Sequence, residues 1–248
     1  MAEKSSSRDY AEGYSSEIQE RLKNAVHYYQ WIYRTVKPFL GARVLEVGCG
    51  GGHFTRLLLD RERVVSTDIS KIYVEEVAGR HKNLENFSAF VFDILDPSLL
   101  SLSSEQFDTV VCLNVLEHIE DDATALSHIG SVLAPGGRLI LLVPALKWLY
   151  GEMDRADRHF RRYTKKELSC KLSDASFTLE KMLYFNFLGT FGWFLNGRIL
   201  KRKLLPENQL GAFDRLVPFL AAVESVVPIP FGQSLIAIAR REKEPLNG

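Results

Sequence analysis

The chain has 248 residues, 46% apolar and 25% charged, a balance that supports a buried core and excludes wholesale disorder. The length allows one large domain, or one domain with an attached lid. Lys+Arg and Asp+Glu are equal at 31 each, so no global charge points to nucleic acid, yet residues 1–150 carry a net −5 and residues 151–248 a net +5, which places any anionic partner on the C-terminal part.

Residues 1–15 are polar and rich in Ser, Glu and Tyr. Residues 16–37 read as an amphipathic helix, with Ile18, Leu22, Val26, Tyr29 and Tyr33 at helical spacing and Pro38 and Gly41 at its end. Strands then alternate with helices. Strands are expected at 43–47, 63–67, 87–92, 107–113 and 138–143, and helices at 52–60, 70–80 and 120–133, with a tight turn at Pro135-Gly136-Gly137. Near-continuous apolar strands separated by helices predict a mostly parallel, doubly wound α/β sheet covered on both faces. After Pro144 the order changes. Thr164, with Glu167 three places on, signals a capping box for a helix over 164–175. Residues 177–184 and 233–240 alternate like strands. The 48 residues between them, 185–232, are far more than a hairpin needs, and read as a helical insertion.

The strongest local signal is VLEVGCGGGHF at 44–54, a G-x-G-x-G run through Gly48, Gly50 and Gly52 between a strand and a helix. Glycine permits the tight turn and the close approach of a ligand. The dinucleotide pattern needs Gly where His53 stands, and the Gly-Lys-Ser/Thr of a phosphate loop is absent. Carboxylates separate the readings further. Glu46 lies inside the first apolar strand, where a buried acid needs a partner. Asp68 ends the second strand, 20 residues after Gly48, the usual place for an acid that accepts from a ribose diol. Asp93 ends the third strand, where an acid can meet an adenine amino group.

These residues, together with FDTVVCLNVLEHI (107–119) and LAPGGRLILLVP (133–144), resemble class I S-adenosylmethionine-dependent methyltransferases of the small-molecule, type 11/12-like kind. The resemblance covers about 40–184 and the final strand near 234–240. It implies a seven-stranded Rossmann-like sheet whose last strand is antiparallel, with S-adenosylmethionine as cofactor and S-adenosylhomocysteine as product. It also implies roles. Glu46 orients the loop and meets the methionine amino group; Gly48, Cys49, Gly50 and Gly52 lie under the methionine and ribose. Asp68 and Ile69 serve the ribose and adenine, Asp93 and Ile94 the adenine edge, and Asn114 and Val115 the methionine part. The expected organisation is an N-terminal cap (1–40), a methyltransferase domain (41–184 plus 233–242) and the insertion (185–232).

Methyl transfer from a sulfonium is an in-line displacement that positioning alone accelerates strongly, so a base is optional. His118, after the fourth strand, is the candidate general base. The run DRADRHFRRYTKKEL (154–168) supplies candidate substrate contacts at Arg158, His159, Arg162 and Tyr163, suited to an anionic acceptor or to a solvated framework helix. In similar enzymes a segment before the first strand folds over the cofactor, which makes Tyr14 a candidate donor contact. No two histidines stand at metal-ligand spacing, so no metal is expected.

In the insertion, Phe185, Phe187, Phe191, Trp193, Phe194 and Leu195 precede a basic run at Arg198–Lys203. That pattern suits a packed lid, a homodimer face or an interfacial membrane contact. The longest uncharged stretch of the chain, 182–197, has 16 residues, against about 20 for a spanning helix. Cys49, Cys112 and Cys170 lack paired spacing, and no basic-then-apolar leader opens the sequence. A cytoplasmic protein is expected, with peripheral contact at the inner face of a membrane as the variant. The acceptor is expected to be a small molecule (glycan, lipid-linked or quinone-like) and not nucleic acid, since Asn114-Val115-Leu116-Glu117 replaces the motif of base methylation. A non-catalytic binding scaffold and an NAD-dependent oxidoreductase are the alternatives.

Overall fold

The structure is a computed structural model that describes residue 17 and residues 20–242. Seven strands form one sheet: β1 (Arg43–Val47), β2 (Arg63–Asp68), β3 (Phe87–Val91), β4 (Phe107–Leu113), β5 (Leu133–Pro144), β6 (Phe177–Phe185) and β7 (Ser234–Arg241). Their order is β3-β2-β1-β4-β5-β7-β6. The first five run parallel, and β7 is antiparallel to β5 and β6. This is the expected doubly wound sheet. The central strands are rich in apolar residues because both faces are covered. Leu45, Val110, Leu139 and Leu141 belong to one buried cluster, and Val44, Val64, Val111 and Ile140 to the other.

The helices are α1 (Val26–Val36), α2 (Lys71–Arg80), α3 (Asp122–Val132), α4 (Glu152–Ala156), α5 (Lys165–Asp174), α6 (Phe187–Trp193) and α7 (Glu207–Val226), with a π-helical turn at Phe194–Ile199. The capping box forms: Thr164 Oγ1 accepts from the Glu167 amide at 3.2 Å, and Glu167 accepts from the Thr164 amide at 3.2 Å.

Three expectations change. The helix over 52–60 is one 3₁₀ turn, Thr55–Leu57, because preceding glycines resist helix and the Thr55 hydroxyl is drawn to Glu46 at 2.6 Å. The helix over 16–37 is interrupted: residues 17 and 20–22 are helical, a turn follows in which Ala25 N–H donates to the Leu22 carbonyl at 2.9 Å, and α1 begins at Val26. Its amino end is capped from a distance: Asp214 of α7 accepts from the His27 and Tyr28 amides at 3.2 and 2.9 Å. Finally, β5 begins at Leu133, and the Pro135–Gly137 turn is a bulge within it, with Gly136 at φ +80°.

The insertion is bolted down at both ends. Besides Asp214, Glu224 of α7 accepts from the Asn186 and Phe187 amides at 3.1 and 2.7 Å, capping α6. Its outer surface leaves Leu188, Phe191, Phe194, Leu195, Ile199, Leu216 and Phe219 exposed. Among the described residues, no helix is long and apolar enough to cross a membrane.

Candidate active site

The crossovers diverge between β1 and β4, so their carboxyl ends open a crevice at the switch point of the sheet. The glycine loop lies there. Gly48 and Gly52 have φ of +76° and +74°, a region costly for any residue with a Cβ. Gly48 is also pinned by space, since a Cβ there would lie 2.2 Å from Val115 Cγ2. Gly48→Ala is therefore expected to weaken cofactor binding at least about tenfold through a displaced loop. Calorimetry on Gly48→Ala and on Gly48→Ala/Val115→Ala checks this: the double variant should recover only the part due to the clash.

Carboxylates brace the loop. Glu46 is buried, and its Oε2 accepts from Thr55 Oγ1 at 2.6 Å and Ser66 Oγ at 2.7 Å. Burial pushes its pKa up to about 7 against the pull of those hydroxyls. Asp68, at the end of β2, accepts from the Gly50 amide at 2.8 Å and the Ser70 amide at 2.9 Å. It thus fixes the loop and retains lone pairs for a diol. Beside it Ile69 and Ile72 are 66% and 58% exposed, an apolar platform at the mouth of the crevice. Asn114 takes the left-handed conformation, φ 52°, and its amide donates to the Leu142 carbonyl at 2.8 Å. The chain thereby turns from β4 toward His118.

Several expected contacts are reassigned. The Cys49 side chain packs in the core, so only its backbone faces the loop. Ile94 is likewise a core residue, whereas Asp93 is exposed and accepts from the Leu95 amide at 2.9 Å, closing its own turn. Tyr14 lies outside the described residues. Arg162 and Tyr163 are not free to meet a substrate. The Arg162 guanidinium is buried, donating to Asp154 at 2.7 Å and to the Ala145 carbonyl at 2.8 Å. The buried Tyr163 hydroxyl donates to Asp122 at 2.9 Å, with the Leu116 carbonyl 3.2 Å from the same oxygen. Arg158 is exposed, in a left-handed turn at φ 56°.

His159 is buried between two acids, its Nδ1 3.1 Å from Asp154 Oδ1 and its Nε2 3.1 Å from Asp157 Oδ2. Burial alone would depress it, but those acids raise its pKa to about 9. Its ring stands edge-on to His118, with centroids 4.6 Å apart. Burial and the neighbouring His159 push the His118 pKa down to about 4. His118 is thus a neutral, weakly basic imidazole at the rim rather than a strong base poised near pH 7. Glu117 is buried, its pKa pushed up to about 7 by burial. This cluster was not legible in the sequence, because its two histidines are 41 positions apart.

The elements add up to a donor-binding α/β enzyme site: a left-handed glycine cradle, an acid at the end of β2, an apolar platform beside it and a polar rim after β4. Comparisons agree. A family model described as a methyltransferase domain matches residues 45–139. The ubiquinone biosynthesis O-methyltransferase of Xanthomonas euvesicatoria pv. vesicatoria is 32% identical over 164 residues, 58% of this chain and 67% of that protein. Among solved structures, the N-methyltransferase NodS of Bradyrhizobium japonicum in complex with S-adenosyl-L-homocysteine aligns with a TM-score of 0.54 at 19% identity, covering 87% of this chain and 85% of NodS. The [4+2]-cyclase SpnF aligns at 0.57 and 18% identity, covering 88% and 81%. At these identities the structures speak for the fold. The chain belongs to the class I S-adenosylmethionine-dependent methyltransferases, and it is an enzyme that uses S-adenosylmethionine. When bound, that cofactor supplies an activated methyl group on a sulfonium. The cradle, Asp68 and Ile69 fit it and are the residues that would hold it.

Proposed function

We propose that this methyltransferase acts on a hydroxyl of a ring-type, quinone-precursor-like small molecule that carries a long apolar chain. The observation that carries the reading is the apolar surface beside the polar rim. Phe160, directly after His159, and Trp148 are each 52% exposed, and the Trp148 ring stands 5.8 Å from that of Phe194 in the π-helical turn. Trp193, from α6, donates to Asp154 at 3.2 Å. The insertion is therefore tied to the same acid that holds His159, and its exposed Phe191, Phe194, Leu195 and Ile199 extend apolar surface away from the rim. The O-methyltransferase name of the Xanthomonas relative supports a hydroxyl acceptor.

The test compares a dihydroxylated ring with and without an isoprenoid tail, scored by S-adenosylhomocysteine release and mass spectrometry of the product. At about 0.8 kcal/mol per buried CH₂, the tail should raise kcat/KM at least about tenfold. Equal turnover of the tailless ring, or none of either, would overturn the reading. His118→Ala is expected to lower kcat about 10²-fold, by loss of a hydrogen-bonding contact to the acceptor hydroxyl, while S-adenosylhomocysteine affinity stays at the wild-type level. Initial rates and calorimetry separate the two effects.

A further inference from the structure

We infer that Glu117, His118 and His159, with Asp157 at their edge, form a binding site for one divalent first-row transition-metal ion at the rim. A carboxylate oxygen of Glu117 and a ring nitrogen from each histidine all lie within 4.8 Å of one another. Three donors at bonds of about 2.1 Å round one ion stand roughly 3.4–3.6 Å apart. From a spread of at most 4.8 Å, the three close on a cation by inward movements of no more than about 0.7 Å each. Asp157 Oδ2, 3.1 Å from His159 Nε2 and 4.0 Å from His118 Nε2, is within reach as a fourth. Two imidazoles and two carboxylates are a donor set that takes zinc, cobalt, iron or manganese.

Two independent features point the same way. Glu117 Oε2 is buried and has no hydrogen-bond partner. An unpaired carboxylate oxygen in the interior is costly unless a cation answers it. The buried Arg162 does not answer it, because it is committed to Asp154 and the Ala145 carbonyl. The second feature is support. Asp154 holds His159 by Nδ1, the arrangement by which a carboxylate orients a metal-binding imidazole with Nε2 outward. Phe160 N–H donates to the Glu117 carbonyl at 2.8 Å, and the Tyr150 hydroxyl to the His159 carbonyl at 2.7 Å, so both ligand-bearing segments are clamped together.

Only the role of the ion rests on the acceptor reading above. An ion here holds a ring oxygen and lowers the pKa of its hydroxyl. The O–H proton leaves to solvent, and the oxygen keeps the electron pair with which it bonds the methyl carbon. The carbon–sulfur bond breaks with its pair remaining on sulfur.

The experiment is a Co²⁺ titration of the metal-stripped full chain, followed by visible absorption, with S-adenosylhomocysteine calorimetry in parallel. One saturable equivalent with a ligand-field band is expected, and Glu117→Gln and His118→Asn should each weaken it by about 10–100-fold, with S-adenosylhomocysteine binding retained. Co²⁺ that keeps its aqueous spectrum, or binding that both variants preserve, overturns the inference. Should Glu117→Gln fail to fold, the partly exposed His118→Asn decides the matter. Failure to methylate a tailed ring would strike the acceptor reading and leave the Co²⁺ result standing.

Discussion

Asp68→Ala is expected to weaken S-adenosylhomocysteine binding by about 10²-fold or more. Hydrogen bonds to a charged group contribute roughly 1.5–3 kcal/mol each, and a ribose diol offers two. The same carboxylate accepts from the Gly50 and Ser70 amides, so its loss also loosens the cradle and frees the first turn of α2. The fold should survive, because Asp68 sits at the open end of the sheet with the core of β2 behind it. Asp68→Asn, which keeps the shape and loses the charge, should fall between wild type and Ala. Calorimetric titration beside circular dichroism checks both parts. Wild-type affinity in Asp68→Ala would remove this acid from the cofactor site.

Asp154→Ala is expected to cost stability rather than cofactor affinity. The Asp154 carboxylate is fully buried and takes four donors: the Gly151 amide, His159, Arg162 and Trp193. Burial would raise its pKa, but His159 and Arg162 hold it down at about 2. Removing it strands the Arg162 guanidinium and leaves His159 with Asp157 alone. Breaking a buried pair from one side costs about 3–5 kcal/mol. At roughly 2–4 °C per kcal/mol for a domain of this size, Tm should fall by about 6–20 °C. Replacing both partners, as Asp154→Leu with Arg162→Met, should restore part of the loss, since no unpaired guanidinium remains. Calorimetric scans of the three proteins provide the test. A drop near zero in the single variant would mean that water reaches the cluster and answers the charge.

The candidate site was partly legible in the sequence. Asp68 and the glycine loop were, because both sit at strand ends whose position follows from apolar runs. Glu46 was legible as an acid too apolar in its surroundings to lack a partner, and the structure supplied the hydroxyls of Thr55 and Ser66. The 154–168 run was misleading. Its charges suggested a surface that meets substrate, yet Arg162 and Tyr163 turn inward, because each has a buried carboxylate waiting, Asp154 for one and Asp122 for the other. No local rule distinguishes an arginine that faces water from one that faces an acid on a neighbouring turn.

By itself, then, the sequence determined the alternation of strands and helices, the doubly wound sheet and the cofactor cradle. Those features depend on periodicity of 2 and 3.6 residues and on what glycine alone permits, and both are properties of short stretches. Tertiary structure decided the rest. It reduced the helix after the cradle to one turn, gave α1 and α6 their caps from Asp214 and Glu224, and brought His118 against His159. Those contacts join residues 37 to 187 positions apart. Such pairs form only once the sheet has fixed where its loops end, and their energies depend on burial that no single segment possesses alone.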